Sequence, residues 1–553
     1  MSLLAVLGLT AVESYALQRT VLQDSELTLS GIALRLLAVN LFLKLFYHAV
    51  IWPRLLSPLR HLPQVKGSFM SAQIMFDQPR GKSPLKWMKT IPNDGLLHWR
   101  DTVGNDCLLA TNHAALLDIM STNTYDFQKP GRVAEFLARV IGYGLILSEG
   151  ATHKKHRKAL NPAFNIKNIR ALYGLMWEKT GLFLEGLEGD MKKNPWAEAG
   201  TSAEKGVGKV EMSEWASRLT LDIIGPAAMG RDFRSMQSSE HAVADAFMSI
   251  LEPTKEKIAF LGINFIFPQW FTRALPWKLN KVITNTTGVL RSLCLDIVRE
   301  KRATLISTKA TAKELETDIL GTMMVGGDFT DDELVDQMLT FLAAGHETTA
   351  SALTWACYLL TKYPEVQTRL REEIRARIPT GDSPITYADL ESLPLLNGVC
   401  QEVLRLYPTV PMTVREAVRD TSICGKFVPK GTRIFICPYA INRSPTFWGD
   451  NGDQFLPERW IDIKADADGV DREVVNHNGG ASTNFAQITF LHGQRSCIGK
   501  DFARAELRCA VAGVVGRFRF EMQDPKQEIH IAGAVTTKPV EGMHLKMERV
   551  EGW

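Results

Sequence analysis

The sequence predicts a mainly α-helical protein with small β-sheets, preceded by an N-terminal membrane anchor. Apolar residues are densest near the N-terminus, and from about Val65 onward the chain has the pattern of helices separated by polar loops. Short β-favouring runs, Arg433 to Ile436 and Glu528 to Ile531, come late and predict only small sheets. We therefore expect an anchor and a proline-containing hinge over residues 1–64 and one globular domain over residues 65–553.

The composition is that of an ordinary globular protein, with 45% hydrophobic and 23% charged residues among 553. A net charge of +3, from 64 basic and 61 acidic residues, gives no sign of a nucleic-acid partner, which would need a concentrated basic surface. Eight cysteines are scattered singly without a C-x-x-C pair, so neither a zinc finger nor a disulfide scaffold is expected. Unpaired thiols of this kind indicate a reducing compartment.

Two apolar stretches define the predicted anchor. The first, Leu3 to Val12, is too short to span a bilayer and has the length of a signal-peptide core. The second, Gly31 to Trp52, has about the length that crosses ~30 Å of hydrocarbon. Three prolines follow it and are expected to end the helix: Pro53, Pro58 and Pro63.

The second stretch carries polar residues at intervals of four: Asn40, Lys44 and His48. On a helix they would form one stripe, as in a helix that lies in the membrane interface. A spanning helix, an interfacial helix and a buried helix of the globular domain therefore all stay open.

The most informative segment is the loop Phe490-Leu-His-Gly493-Gln-Arg495-Ser-Cys497-Ile-Gly499, which runs into a helical pattern from Lys500 to Phe518. Cys497 is thus expected near a helix N-terminus, where the helix dipole and backbone N–H groups favour a thiolate, the form that binds a metal. Gly493 and Gly499 would let the backbone approach a flat ligand closely. Alone, the loop could hold one more buried cysteine beside turn glycines.

A long apolar helix is predicted from Met338 to Leu360, with polar residues at its centre. His346-Glu347 does not fit a zinc motif, because residue 350 is alanine where H-E-x-x-H has histidine. A membrane span is the alternative, although an acid and two hydroxyls at mid-span are costly in lipid. We favour a buried acid and alcohol, Glu347 and Thr348, at a break in helical packing, suited to proton relay.

Two further motifs complete the pattern: Glu402 and Arg405 lie three apart on one helix face, and Pro457-Glu458-Arg459-Trp460 places a second arginine in a turn. Taken together, the four segments resemble the cytochrome P450 superfamily in order and approximate spacing, over nearly the whole chain after the anchor. The matching residues are Phe490, Gly493, Arg495, Cys497 and Gly499; Ala344 to Thr349; Glu402 and Arg405; and Pro457 to Trp460.

The resemblance implies a cytochrome P450 fold, with residues 65–553 as the catalytic domain and haem b as the cofactor. It implies that Cys497 is the axial iron ligand and that Glu347 and Thr348 deliver protons to bound dioxygen. It also implies that Glu402, Arg405 and Arg459 form a buried structural triad.

The resemblance further implies which residues contact the haem propionates. In Glu149-Gly-Ala-Thr-His153-Lys-Lys-His-Arg157 the family commonly has W-x-x-x-R, so His153 stands where tryptophan is usual. His153 and Arg157 are assigned to the propionates, Arg157 because a guanidinium suits carboxylates. Arg495 and Arg415 are assigned the same role, with a solvated charge as the alternative for each arginine.

The implied reaction is insertion of one oxygen atom of O2 into a small apolar substrate, by hydroxylation, epoxidation or multistep oxidation. The chain has no dinucleotide fingerprint, so electrons are expected from NADPH through a separate NADPH–cytochrome P450 reductase, with cytochrome b5 as a further donor. The reductase is expected to dock near a basic cluster, which could equally be solvated surface: Lys154, Lys155, Lys158 and Lys500. With the anchor, the expected location is the cytosolic side of the endoplasmic reticulum membrane.

The substrate class follows from family analogy and from the apolar character of the expected pocket walls, which include Val410, Met412, Phe341, Leu342 and Ala343. We expect a tailoring step in secondary-metabolite biosynthesis, on a terpenoid or polyketide, with fatty-acid hydroxylation as the alternative. A non-oxygenating haem-thiolate isomerase or dehydratase, or a haem-binding protein without turnover, would not need Glu347 and Thr348.

Overall fold

The computed structural model describes residues 3–20, 28–67, 70–101, 104–197, 204, 206–237, 254–308, 318–381, 383–465, 468–533 and 535–553. Helices form most of this part of the chain, as the sequence predicts. They are α1 Leu3–Thr20, α2 Leu29–Phe46, α3 Met70–Phe76, α4 Lys82–Thr90, α5 His113–Leu117, α6 Gly131–Ile141, α7 Gly150–Leu160, α8 Ile166–Ala171, α9 Tyr173–Lys193, α10 Met212–Ile224, α11 Lys255–Ile266, α12 Gln269–Ala274, α13 Lys278–Thr308, α14 Ile319–Gly326, α15 Asp331–Lys362, α16 Pro364–Arg377, α17 Tyr387–Glu391, α18 Pro394–Leu406, α19 Pro438–Ile441, α20 Pro445–Trp448 and α21 Lys500–Arg517.

The strands form small sheets. They are β1 Leu96–Arg100, β2 Asp106–Ala110, β3 Phe127–Gln128, β4 Val207–Glu211, β5 Thr413–Ala417, β6 Thr421–Ile423, β7 Lys426–Val428, β8 Arg433–Ile436, β9 Ile461–Ala465, β10 Asp471–Val475, β11 Phe518–Met522, β12 Ile531–Ala532, β13 Lys538–Pro539 and β14 His544–Arg549. The largest sheet has the order β1-β2-β8-β5-β3, with β2 and β8 parallel and its other pairs antiparallel. A second sheet has the order β11-β14-β4. The run Arg433 to Ile436 is a strand as predicted, whereas only the end of Glu528 to Ile531 is.

Helix α15 forms the centre of the main hydrophobic core. It begins with a capping box between Thr330 and Glu333, which explains why the helix starts earlier than the predicted Met338. Its sides pack against α10, α18 and α21, so most of its residues are buried by protein. The alternative that this helix spans a membrane is therefore wrong.

The N-terminal segment differs from the rest because its helices expose their apolar side chains. Only Ile32 of α2 is buried, which rules out the alternative of a buried helix of the globular domain. Within the described residues, one helix, Leu29–Trp52, is long and apolar enough to cross a membrane.

Pro53 was expected to end this helix, but the helix continues through it as a π-helical segment, Tyr47–Leu56. In such a segment each N–H pairs with a carbonyl five residues back, as Ser57 N does with Trp52 O at 2.7 Å. The side chain of His48 lies outside the described part of the structure, and Asn40 is discussed below.

Candidate functional site

Cys497 lies immediately before the N-terminus of α21, as the sequence predicts. Its backbone N–H donates to the carbonyl of Phe490 at 2.8 Å, which closes the loop on itself. Gly499 caps the helix, and the helix runs on from Lys500. The loop therefore holds the thiol at a fixed position at the end of a buried helix.

The Cys497 side chain borders a cavity. All eight cysteines are described, and Cys497 alone among them is exposed. Surrounding protein atoms nevertheless raise the pKa of its thiol, as expected for a sulfur in a recess rather than on an open surface. A cavity of about 490 Å³ borders Cys497 and Phe490 and extends towards Trp448 and Trp460.

The raised pKa corrects one expectation, that the helix terminus would favour the thiolate in the free protein. The Gly499 N–H and the Arg157 cation both lower the pKa of Cys497, but desolvation outweighs them. Ionisation of this thiol would need a stronger charge, such as that of a coordinated metal ion.

The two loop glycines have different surroundings in the structure. Gly493 has φ +68°, and a Cβ there would lie 1.9 Å from the carbonyl oxygen of Met120, so the glycine is needed for the loop to pack on a neighbouring segment. Gly499 has φ −88°, and a Cβ there would meet only ordinary contacts with Phe164 and Cys497 Sγ. Packing within the protein is therefore enough to require glycine at residue 493, and the space beside Gly499 leaves room for a ligand.

One face of α15 is accessible where its other faces are buried. Ala344 and Thr348, one turn apart, are half-buried, and so are Ala343 and Gly345. The Thr348 hydroxyl donates to the Ala344 carbonyl at 2.7 Å. Because the surrounding residues of α15 are buried, the partial exposure of these four residues indicates that they border open space within the protein.

Phe164 links α15 to the Cys497 loop: a Cβ on Gly499 would lie 3.8 Å from its ring, and the ring itself lies 5.6 Å from that of Phe341 on α15. The expected break in the helix is absent, because α15 is continuous through Glu347 and Thr348. Instead, Thr220 of α10 donates to the His346 carbonyl at 2.9 Å, so a carbonyl of the continuous helix accepts from a neighbouring helix.

Glu347 is buried and points away from Thr348, towards the C-terminal strand segment. Its Oε1 accepts from Lys538 Nζ and from the Thr536 hydroxyl, each at 2.9 Å. His346 Nε2 lies 3.8 Å from its Oε2. Burial alone would raise the pKa of Glu347, but the charges of Lys538 and His346 with the two hydrogen bonds hold it below its ordinary value. The acid is thus an anion paired with a lysine.

A cluster of cations lies on another side of the site. Arg415 is buried, and burial together with the charge of Arg495 lowers its pKa to about 10. Burial and the charge of Arg415 also lower the pKa of Lys129. One carboxylate, Glu149, lies among them and pairs with Arg495. Arg495 Nε is buried and has no hydrogen-bond partner in the described structure.

His153 and Arg157 of α7 lie at the edge of this cluster. His153 is buried against Tyr125, whose hydroxyl is 3.1 Å from its Nδ1, and burial with nearby arginines lowers the pKa of His153 to about 4. Arg157 donates to the carbonyl oxygen and the hydroxyl of Ser496, directly before Cys497. A neutral histidine can still donate one ring N–H. Arg157 fixes the loop that carries Cys497 through its two hydrogen bonds to Ser496.

These observations fit a haem. The accessible Cys497 thiol suits a metal ligand. The small, half-buried residues of α15 suit a flat apolar ring. The buried cations outnumber the nearby carboxylates, which suits the two negatively charged propionates. The orphaned Arg495 Nε and the buried charge of Arg415 are donors that carboxylates would satisfy. Residues that would hold the group are therefore Cys497, Arg415, Arg495, Arg157 and His153.

Glu402, Arg405 and Arg459 lie in contact beneath the site. Arg405 donates to both Glu402 oxygens at 2.8 and 2.6 Å, and both side chains are fully buried. Arg459 Nε lies 3.4 Å from Glu402, and Trp460 Nε1 donates to it at 2.9 Å. Arg405 also donates to three backbone carbonyls, so the pair fixes the chain between Asn442 and Gln454.

The expected pocket walls are only partly accessible. Val410 and Met412 are half-buried, but Leu342 is fully buried in the main core and does not line a pocket. The resemblance to the cytochrome P450 superfamily also implies pocket walls around Ala242 to Phe271 and Ala534 to Thr536, of which residues 242–253 and 534 lie outside the described residues. The segment after them does reach the site, because Thr537 N donates to Thr409 O at 2.9 Å.

Sequence reasoning gave no role to Lys538, Glu149 or Lys129. Lys538 contacts Glu347 and Glu149 contacts Arg495, but these contacts join positions far apart in the chain, and no local motif marks them. Lys129 donates its backbone N–H to Glu149. Glu506 was also missed: it is fully buried in α21 beside Thr349, and burial raises its pKa to about 8.

Comparison with known proteins gives a consistent result. A family model described as "Cytochrome P450" matches residues 104–545. The chain is 38% identical over 521 residues to cytochrome P450 monooxygenase sphH of Aspergillus fumigatus, which covers 92% of both chains. It is 37% identical to cytochrome P450 monooxygenase FUM15 of Gibberella moniliformis, over 91% of this chain and 90% of that one. It is 35% identical to cytochrome P450 monooxygenase ALT8 of Alternaria alternata, over 92% of both.

Proposed function

The chain belongs to the cytochrome P450 superfamily as a monooxygenase, and from this premise we propose that it oxidises a small apolar substrate with Cys497 as the axial haem ligand. The observation that carries the proposal is the exposed Cys497 thiol inside the protein at the N-terminus of α21. With haem bound, the reaction inserts one atom of O2 into the substrate while the other leaves as water.

The remaining residues bind, orient and move protons. Arg415, Arg495, Arg157 and His153 hold the propionates, since they supply buried donors and positive charge. The Thr348 hydroxyl lies on the accessible face of α15, where it can donate towards a bound ligand. Glu347, the residue before Thr348, is a proton relay: as an anion paired with Lys538 it accepts a proton before it passes one on.

Electrons come from NADPH through a separate reductase. The basic cluster Lys154, Lys155, Lys158 and Lys500 supports docking on the side of the Cys497 loop. Lys154, Lys155 and Lys158 are exposed on α7, and Lys500 begins α21 directly after that loop. Screening of such surface charges by salt would slow electron transfer.

Residues 1–64 form the membrane anchor and hinge, and residues 65–553 form the catalytic domain on the cytosolic side of the endoplasmic reticulum membrane. The apolar helix Leu29–Trp52 supports the anchor. The reducing surroundings of a cytosolic domain agree with eight free cysteines.

The substrate is a terpenoid or polyketide intermediate of secondary metabolism. Half-buried apolar side chains near the site, Val410 and Met412, and the similarity to fungal monooxygenases support this class. Fatty-acid hydroxylation is the alternative, and a fatty acid would need a cation for its carboxylate at the far end of the pocket.

The test is turnover of the full-length protein with a reductase, NADPH and ¹⁸O2 against matched terpenoid, polyketide and fatty-acid substrates. We expect ¹⁸O in a terpenoid or polyketide product, with product formed in proportion to NADPH consumed. Labelling of fatty acids alone would overturn the substrate class, and rearranged product without ¹⁸O would overturn the monooxygenase role.

A further inference from the structure

We propose that α1 and α2 form a helical hairpin that crosses the membrane twice, so that the N-terminus lies on the same side of the membrane as the catalytic domain. The proposal rests on the membrane anchor proposed above and specifies its topology. A single spanning helix, α2 alone, would place the two on opposite sides.

The two helices are in direct contact through polar side chains. Asn40 of α2 donates through Nδ2 to the Thr10 hydroxyl at 3.0 Å and to Glu13 Oε2 at 2.7 Å, both on α1. Only residues 21 to 28 separate the two helices in the chain, and a connection this short makes neighbouring helices antiparallel. α1 therefore returns alongside α2.

The burial pattern of this hairpin is the reverse of that in a soluble protein. Small or polar side chains lie between the helices: Val6, Thr10 and Ser14 recur every four residues on α1 and are at most 4% exposed. Large apolar side chains point outward: Leu7, Val12 and Tyr15 on α1, and Leu34, Phe42 and Leu45 on α2, are 44% to 70% exposed.

The apolar outer surface of the hairpin is suited to contact with a lipid bilayer. Helices in lipid pack through small residues and polar contacts, because the outer apolar side chains gain nothing by leaving the hydrocarbon. In water the same surface would be a large exposed apolar patch. The Asn40 contacts also give the carboxylate of Glu13 a donor within the bilayer, where an unpaired acid is costly.

The helix lengths match a bilayer. α1 has 18 residues and is therefore ~27 Å long, close to the ~27 Å hydrocarbon thickness of the endoplasmic reticulum membrane. It is less apolar than the span Leu29–Trp52 because it carries Glu13 and Arg19, so its crossing depends on the contacts with α2. The span Leu29–Trp52, which comprises α2 and part of the π-helical segment after it, has 24 residues, enough to cross with tilt. α1 was expected from sequence to be too short, but its helix continues past Val12 to Thr20.

The distribution of charge sets the orientation. The connection between the helices contains Asp24 and Glu26, and the one basic residue beside it is Arg19 in the last turn of α1, whereas the chain after α2 carries Arg54, Arg60 and Lys66. Basic residues are retained on the cytosolic side of spanning helices. The connection thus faces the lumen, and both ends of the hairpin face the cytosol.

The experiment is glycosylation mapping of the full-length chain in endoplasmic reticulum membranes. Acceptor sequons are placed in an extension before Met1, in an extension between Thr20 and Thr28, or after Trp553, each in a background of Asn285→Gln to remove an exposed native acceptor. Endoglycosidase-sensitive mobility shifts are measured, together with extraction by alkaline carbonate.

We expect a glycan only on the acceptor between the helices, with the protein retained in the carbonate pellet. A glycan on the N-terminal acceptor would overturn the hairpin and leave a single-span anchor. No glycan at any acceptor, in a membrane-retained protein, would overturn the double crossing in favour of surface attachment. Release of the protein by carbonate would overturn the anchor itself.

A pair of substitutions tests the contact between the helices. Asn40→Leu removes the donor to Thr10 and Glu13, and Val39→Leu changes the neighbouring residue, which is 50% exposed and faces outward. We expect a several-fold rise in glycosylation of the N-terminal acceptor in Asn40→Leu only, because α1 loses its partner in the bilayer. Equal glycosylation of the two variants would overturn the role of Asn40.

Discussion

Replacing Lys538 with methionine removes the cation that faces Glu347. The Lys538 side chain is 11% exposed and that of Glu347 is 3% exposed, with Nζ and Oε1 2.9 Å apart. Removing one partner of a buried ion pair costs ~3–5 kcal/mol, because the other charge is left without compensation. We expect Lys538→Met to lower the free energy of unfolding at pH 8 by about 3 kcal/mol or more.

The pH dependence of this loss has a definite sign. In the wild type the pKa of Glu347 is below its ordinary value, so its stabilising contribution is present above the unfolded pKa of ~4.3 and is lost as pH falls through the folded value. In Lys538→Met, desolvation dominates and raises that pKa, so Glu347 is protonated at pH 5 and the loss becomes small there. The destabilisation therefore grows as pH rises from 5 to 8.

The assay is urea unfolding of the haem-loaded protein at several values between pH 5 and pH 8. Lys538→Arg is the matched control, since it keeps the charge and should recover most of the stability. Adding Glu347→Gln to Lys538→Met should abolish the pH dependence of the loss. A loss in Lys538→Met that is below ~0.5 kcal/mol at pH 8, the usual range for surface substitutions, would refute the ion-pair reasoning.

Three other variants give separate predictions. Thr348→Ala should keep haem binding but divert electrons from product to hydrogen peroxide, lowering the product formed per NADPH roughly tenfold or more. The control is Thr354→Ala, which removes an equivalent hydrogen bond to the carbonyl four residues earlier and should leave the product formed per NADPH unchanged. Glu506→Gln should raise stability by up to ~3 kcal/mol at pH 7 and not at pH 4.5, because a buried acid with a pKa of about 8 costs stability as pH rises from 4.5 to 8; a pH-independent effect in urea unfolding would contradict this. Arg415→Leu should weaken haem binding by the apoprotein about 30-fold in a titration, because the propionate would lose a buried charge partner. Arg299→Leu, on the surface, should leave the affinity for haem unchanged. Equal affinities of the two variants would show that Arg415 does not bind a propionate.

Local sequence patterns were sufficient for much of the fold and for the core of the candidate site. The Cys497 loop, the helix that contains Glu347 and Thr348, and the contact of Glu402 with Arg405 each depend on residues within a few positions of one another. Such spacing fixes which side chains share a turn or a helix face before tertiary packing is known.

Long-range partners could not be predicted in the same way. Lys538 lies 191 residues after Glu347, and nothing in its own surroundings distinguishes it from a surface lysine until β13 packs beside α15. The pKa of Cys497 also depends on how much protein surrounds it, so helix position alone does not determine the direction of its shift. Pro53 was expected to end a helix because the sequence does not reveal a π-helical turn.

The most direct test of the central claim is the carbon monoxide difference spectrum of the reduced, haem-loaded protein. This spectrum reports the ligand opposite carbon monoxide. We predict the strongly red-shifted Soret band of thiolate ligation in the wild type and its loss in Cys497→Ser. A folded, haem-loaded wild type without that band, or a Cys497→Ser variant that keeps it, would contradict the assignment of Cys497 as the haem ligand.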